Sequence, residues 1–134
     1  MNQLIIVGAG ALAREVSMIA ADAIQNNLKI AIRGFIDSAP KFKHPATQKF
    51  PILGNEQDYK IRTKDRFVMA IGDPLNRERV ARILEARGAQ FIKLIHPSAT
   101  IIGDAQVADG CVLAHNTLVA VGARLEPHVF LNTF

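Results

Sequence analysis

Three short segments carry the residues best suited to chemistry. Gly8-Ala9-Gly10-Ala11-Leu12-Ala13 fits the pattern GxGxx(G/A), directly after the apolar run Leu4 to Val7 and before a stretch with helical spacing. Glycines there let the backbone turn tightly and approach a phosphate closely. The helix that follows offers free N–H groups and the positive end of its dipole to an anion. The same glycines also suit a strand-to-helix turn that binds nothing, so the motif is weak alone. Asp37, with Ser38 beside it, follows a second apolar run, Ile30 to Ile36. Open parallel sheets place a carboxylate near there for a ribose or base; a loop carboxylate or helix cap is the plainer reading. Ile71-Gly72-Asp73 ends a third run. Asp73 before Pro74 also reads as an N-cap with proline at the first helical position.

Four histidines and one cysteine complete the candidates. His115 and His128 fall on turns of a repeat described below and read as solvated corner residues. His96 precedes Pro97 and reads as structural, and His44 sits in a basic loop without a recognisable partner. No histidine or carboxylate pair shows metal-ligand spacing, and a lone cysteine excludes a cysteine-rich zinc site, so no metal is expected. Cys111 reads as a packed core residue, and no intrachain disulfide is possible.

The net charge of +4 is spread out: Lys60, Arg62, Lys64 and Arg66 alternate, and Arg77, Arg79, Arg82 and Arg87 lie on an expected helix. That pattern describes a solvated face, with anion binding as the alternative. With no Trp, one Tyr and no aromatic residues among the basic ones, nucleic acid is not an expected partner. No secretory signal pattern opens the chain, and no apolar run approaches the ~20 residues of a membrane span. A cytoplasmic protein is expected.

These segments need elements to hold them. Leu4–Val7, Ile30–Ile36, Phe67–Ile71 and Gln90–Ile95 read as strands. Pro51–Gly54 is a brief extended piece. Residues 11–26 and 75–87 carry helical spacing, and residues 38–50 form a loop with two prolines. The order strand-helix-strand, loop, strand-helix-strand predicts an α/β fold with a Rossmann-like parallel sheet. Its strand ends would bring the three segments to one crevice.

From residue 99 the pattern changes. Ile101, Val107, Leu113, Val119, Leu125 and Leu131 recur every six residues. A smaller residue lies two positions before each: Ala99, Ala105, Cys111, Thr117, Ala123 and Val129. A six-residue period is a β-solenoid signature. Two domains are therefore expected, residues 1–96 and 97–134.

A glycine-loop α/β domain joined to hexapeptide repeats resembles the bacterial sugar O- and N-acetyltransferases, which include the sialic-acid O-acetyltransferases and the bacillosamine-pathway acetyltransferase. The residues carrying the resemblance are Ile5-Ile6-Val7-Gly8-Ala9-Gly10, Arg14-Glu15-Val16, Gly34-Phe35-Ile36-Asp37, Ala70-Ile71-Gly72-Asp73 and Leu94-Ile95-His96-Pro97-Ser98-Ala99. They span essentially the whole chain in the family's order.

The resemblance implies that the hexads begin a left-handed β-helix that forms a homotrimer and takes acetyl-coenzyme A between neighbouring helices. It implies that the N-terminal domain binds a nucleotide-linked or free sugar through Gly8, Ala9, Gly10, Ala11, Asp37, Ser38, Ile71, Gly72 and Asp73. A histidine takes the proton of the attacking amine or hydroxyl, a role that suits its titration range. In the family that histidine follows an Asn-Thr pair like Asn132-Thr133 by a few residues. The expectation is that it lies beyond Phe134, that residues 99–134 supply about two coils of the three or more a solenoid needs, and that this chain is a fragment or a shortened relative.

Two alternatives stand beside acetyl transfer. One is a nucleotide-sugar-binding module without chemistry. The other, a nicotinamide-dinucleotide-binding protein, shares the glycine loop but leaves the hexads unexplained.

Overall fold

The computed structural model describes residues 1–38 and 49–133. Most of the expected 38–50 loop, with His44, and also Phe134 lie outside the described residues. The elements run in order β1 (Asn2–Val7), α1 (Ala11–Gln25), β2 (Ile30–Ile36), β3 (Ile52–Gly54), β4 (Asp65–Met69) and α2 (Pro74–Ala86). Seven two-residue strands follow: β5 (Leu94–Ile95), β6 (Thr100–Ile101), β7 (Gln106–Val107), β8 (Val112–Leu113), β9 (Leu118–Val119), β10 (Arg124–Leu125) and β11 (Phe130–Leu131).

The first four strands form a sheet in the order β3-β2-β1-β4, and each neighbouring pair is parallel. β1 lies in the middle and is buried on both faces, which explains its unbroken apolar run. Its side chains divide by the two-residue period of a strand. Leu4 and Ile6 pack with Ala13, Val16, Ile19 and Ala20 of α1. Ile5 and Val7 pack with Phe67, Met69 and the α2 residues Val80, Ala81 and Leu84. One helix thus covers each face. Burying a large aliphatic side chain completely contributes about 1.5–3 kcal/mol, so these two clusters drive the fold.

The strand expected over Gln90–Ile95 is divided. Phe91 makes one parallel bridge to Phe67 at the sheet edge. Leu94 and Ile95 instead pair with Val112 and Leu113 of the repeat. Ile95 lies six residues before Ile101, in phase with the hexads. Lys93 occupies the position that elsewhere holds a small residue, and its amine sits 3.6 Å from Asp109 at the surface. That charged residue hides the first repeat from a hydrophobic pattern.

The seven short strands stack as three parallel faces, β5-β8-β11, β6-β9 and β7-β10. Partners are eighteen residues apart, as in Leu94–Val112–Phe130, so three hexads make one triangular coil. This is a β-helix. Burial peaks at Cys111–Ala114, which has a coil on either side. Asn116 and His128 adopt φ of 57° and 63° at corners, a region that side-chain-bearing residues enter reluctantly.

Sheet and β-helix share a core. One cluster joins Leu4, Phe35 and Val68 of the sheet, the buried face of α1, and Leu94, Val112 and Ala114 of the β-helix. α1 is packed between the two. No helix among the described residues is long and apolar enough to cross a membrane.

Candidate functional site

Parallel pairing decides where the candidate residues meet. Val7 is in register with Ile36 on one side and Met69 on the other. Three chain segments therefore leave the sheet at the same edge: Gly8–Ala11, Asp37–Ser38 and Ala70–Asp73. The helix after β1 covers one face and the helix after β4 the other, so the connections diverge between β1 and β4. Open sheets form a crevice at such a point, outside the carboxyl ends of the strands.

The two glycines of the loop differ physically. The N–H of Gly8 donates to the Ile36 carbonyl at 2.7 Å, and Val7 O accepts from Ala70 N at 2.8 Å. Gly8 has φ of 124°, and a Cβ there would stand 2.5 Å from the Ala70 carbonyl oxygen. Fold geometry alone requires this glycine. Gly10 is the residue preceding α1, with an ordinary φ of −94° and no side-chain cap on the helix. A Cβ on Gly10 would meet nothing within 4 Å. Packing does not demand glycine there; open space lies beside uncapped helical N–H groups. Gly72 is equally open.

Around the second segment, sequence reasoning missed a buried carboxylate. Glu56 is 4% exposed. It accepts a hydrogen bond from the Ser38 hydroxyl at 2.5 Å. The Arg79 guanidinium lies 3.6 Å away. Arg87 of the α2 C-terminus donates to the carbonyls of Glu56 and Tyr59. Ser38 is thereby tied through Glu56 to α2, and Asp37 N donates to Gly54 O at 2.9 Å. A glutamate inside a short turn carries no periodic signal, so only the fold exposes its role.

Asp73 caps α2: its carboxylate accepts from Asn76 N at 3.1 Å, with Pro74 in the first turn. Asp73→Ala should cost about 1 kcal/mol. The urea midpoint should fall accordingly; an unchanged midpoint would remove the cap from the account.

The described histidines engage residues late in the two helices that leave this edge. His96 Nε2 is 2.8 Å from Asp22 Oδ2, and His115 Nε2 is 3.3 Å from the same oxygen. The His96 hydrogen bond, with the His115 contact beside it, holds the Asp22 carboxyl below its usual value against the opposing cost of burial. Asp22 lies eleven residues into α1, roughly 16 Å along the helix from the glycine loop. His128 is not a solvated corner residue. Its side chain is 14% exposed, it meets Glu85 at 3.3 Å, and it packs edge-on against Phe91. The glycine at position 110 leaves the room its ring fills. This ring joins the β-helix to the end of α2.

Two further groups have structural partners. Asp65 Oδ2 accepts from the Tyr59 hydroxyl and from Arg62 N, each at 2.8 Å. Burial, with that hydrogen bond, pushes the Tyr59 phenol up to about 12. The Cys111 thiol is fully buried, donates to Glu126 O at 3.0 Å, and is raised by burial. A buried protonated thiol is a poor nucleophile.

Comparison with known proteins places this geometry. Residues 3–84 match the family model of the PglD N-terminal domain. The acetyltransferase domain of PglB from Neisseria gonorrhoeae, solved in complex with acetyl coenzyme A, is 25% identical with a TM-score of 0.81 over 99% of this chain. A perosamine N-acetyltransferase variant from Caulobacter crescentus, solved with CoA and GDP-perosamine, is 18% identical with a TM-score of 0.68 over 93% of this chain. The second likeness speaks for the fold. The chain spans 63% of the length of each of these structures. No curated protein matches it.

Proposed function

This chain belongs to the family of the PglD N-terminal domain, and from that premise we propose that it supplies the acceptor-binding surface and the first β-helix coils of an acetyl-coenzyme A-dependent sugar acetyltransferase. The acceptor is a nucleotide-linked sugar. One observation carries this reading: Gly10 is a glycine that packing does not require, beside uncapped N–H groups at the start of α1. A nucleotide phosphate needs such space and such donors. Gly8, Ala9, Gly10 and Ala11 cradle the phosphates. Asp37 and Ser38, with Ser38 held by Glu56, face the ribose or base. Ile71, Gly72 and Asp73 border the sugar side of the crevice.

Acetyl-coenzyme A is the donor, and the protein works in the cytoplasm as a homotrimer built around its β-helix. The solved relatives support the donor by what they hold: acetyl coenzyme A in one, CoA and GDP-perosamine in the other. Among the described residues no histidine serves as general base. His96 and His115 engage Asp22 late in α1, and His128 engages Glu85 late in α2, both far from the crevice. The same observation favours a second reading, in which these residues bind the acceptor without transferring an acetyl group.

Thermal unfolding with added ligands tests the proposal. A nucleotide-sugar at a hundred times its Kd stabilises by about 2.7 kcal/mol. UDP- and GDP-sugars should raise the Tm, while a rise with nicotinamide dinucleotides alone would sink the reading. Binding of coenzyme A distinguishes transfer from acceptor binding only.

A further inference from the structure

Asp22, His96 and His115 stand 74 and 19 residues apart in sequence, yet three of their side-chain atoms lie within 4.8 Å of one another. Asp22 projects from α1. His96 and His115 belong to one column of β-helix corners, stacked a coil apart. Ser98 Oγ accepts from Asn116 N at 2.9 Å, and Thr133 donates its hydroxyl to His115 O at 3.0 Å, so three successive corners are tied together. We propose that Asp22, His96 and His115 form a directional lock that fixes the orientation of α1, and of the glycine loop at its start, on the β-helix. The proposal rests on the acceptor-binding reading for its consequence but not for its geometry.

Every polar group of His96 has a partner. Its N–H donates to Leu113 O and its carbonyl accepts from Ala99 N, both at 2.9 Å. Its Nδ1 accepts the Ser98 backbone N–H at 3.0 Å. Ser98 Oγ lies 2.7 Å from the same Nδ1, and in the tautomer where both Ser98 groups donate to it the ring proton is on Nε2, 2.8 Å from Asp22 Oδ2. A divalent cation would need that nitrogen bare. The rings of His96 and His115 also lie 3.7 Å apart at 31°, nearly face to face. Both Nε2 atoms face one acceptor, Asp22 Oδ2, at 2.8 and 3.3 Å. The contacts this cluster makes are those of two imidazoles with one carboxylate oxygen.

A lock is needed because the rest of the junction is apolar. α1 meets the β-helix through small and aliphatic side chains such as Ala20, Ala23, Leu94 and Ala114. Such burial is strong but non-directional, and it tolerates sliding. A carboxylate bound to a nearly buried imidazole has one good geometry. Because α1 is rigid, holding Asp22 also holds Gly10 and the helical N–H groups at the other end. These three are positioning residues.

The full chain is labelled with nitroxides at Met18→Cys on α1 and Val121→Cys on the β-helix. Both sites are exposed, at 60% and 67%, whereas native Cys111 is fully buried and stays unlabelled. The parent should give one narrow distance distribution well below its Tm. Asp22→Asn should broaden it about twofold, and His115→Ala, at a half-exposed site, should do the same without threatening folding. Distributions superimposable on the parent's in both variants would overturn the lock. In parallel, UDP-N-acetylglucosamine and GDP-mannose are titrated calorimetrically, and Asp22→Asn should weaken whichever binds by about fivefold. Binding of neither probe by the parent defeats the acceptor reading while the label distances still judge the lock. Zinc that raises the parent's Tm but not that of Asp22→Asn would replace the lock with a metal site.

Discussion

Gly8→Ala should destabilise the protein by about 3 kcal/mol, with a Tm lower by roughly 10 °C. Two costs combine. The backbone stands at φ 124°, which an L side chain rarely adopts. Holding alanine there costs about 1–3 kcal/mol. The new methyl would also lie 2.5 Å from the Ala70 carbonyl oxygen. That carbonyl belongs to the main chain leaving β4 and cannot swing aside like a flexible side chain. Overpacking of this kind adds about 1–3 kcal/mol. Because Gly8 N also donates to Ile36 O, relief by moving the turn would break the junction of three strands. A loss smaller than about 1 kcal/mol in urea unfolding would mean the turn relaxes freely.

Gly10→Asp should behave in the opposite way. Its φ of −94° suits any residue, and the space around it is open. Aspartate is among the best residues to precede a helix, so stability should hold or rise by about 0.5–1 kcal/mol. Binding of a nucleotide-sugar should fall by about a hundredfold, because a carboxylate would occupy the anion's place and its hydrogen-bond donors. Gly10→Ala should fall between, with a loss of about tenfold from bulk alone. Stability up and affinity down is a signature that misfolding cannot imitate. Unaltered affinity in Gly10→Asp, measured by calorimetry, would remove the phosphate from the glycine loop.

The contrast between these two glycines shows where sequence reading stops. GxGxx(G/A) treats both positions alike. In the fold, Gly8 answers to Ala70 and Gly10 to open space, a distinction that depends on what packs from elsewhere in the chain. The lock has the same character. His96 and His115 were legible as a junction residue and a corner residue, but Asp22 was one polar position on a helix. Nothing local ties it to residues 74 and 93 positions later.

What the sequence determined by itself is everything written in short-range pattern. β1 is an apolar run buried on both faces. α1 and α2 follow helical spacing, and Asp73-Pro74 marks the start of α2. The six-residue period announces the β-helix, since each hexad repeats the same demand for an inward aliphatic residue and a turn. Tertiary structure alone decided the rest. It sent Leu94–Ile95 to the β-helix despite Lys93, because backbone pairing with Val112–Leu113 satisfies the strand whichever way Lys93 points. It turned His128 inward over residue 110 and tied Ser38 to Glu56. Periodicity reports which face of an element is buried; which polar atoms then meet depends on distances between elements, and those exist only once the chain has folded.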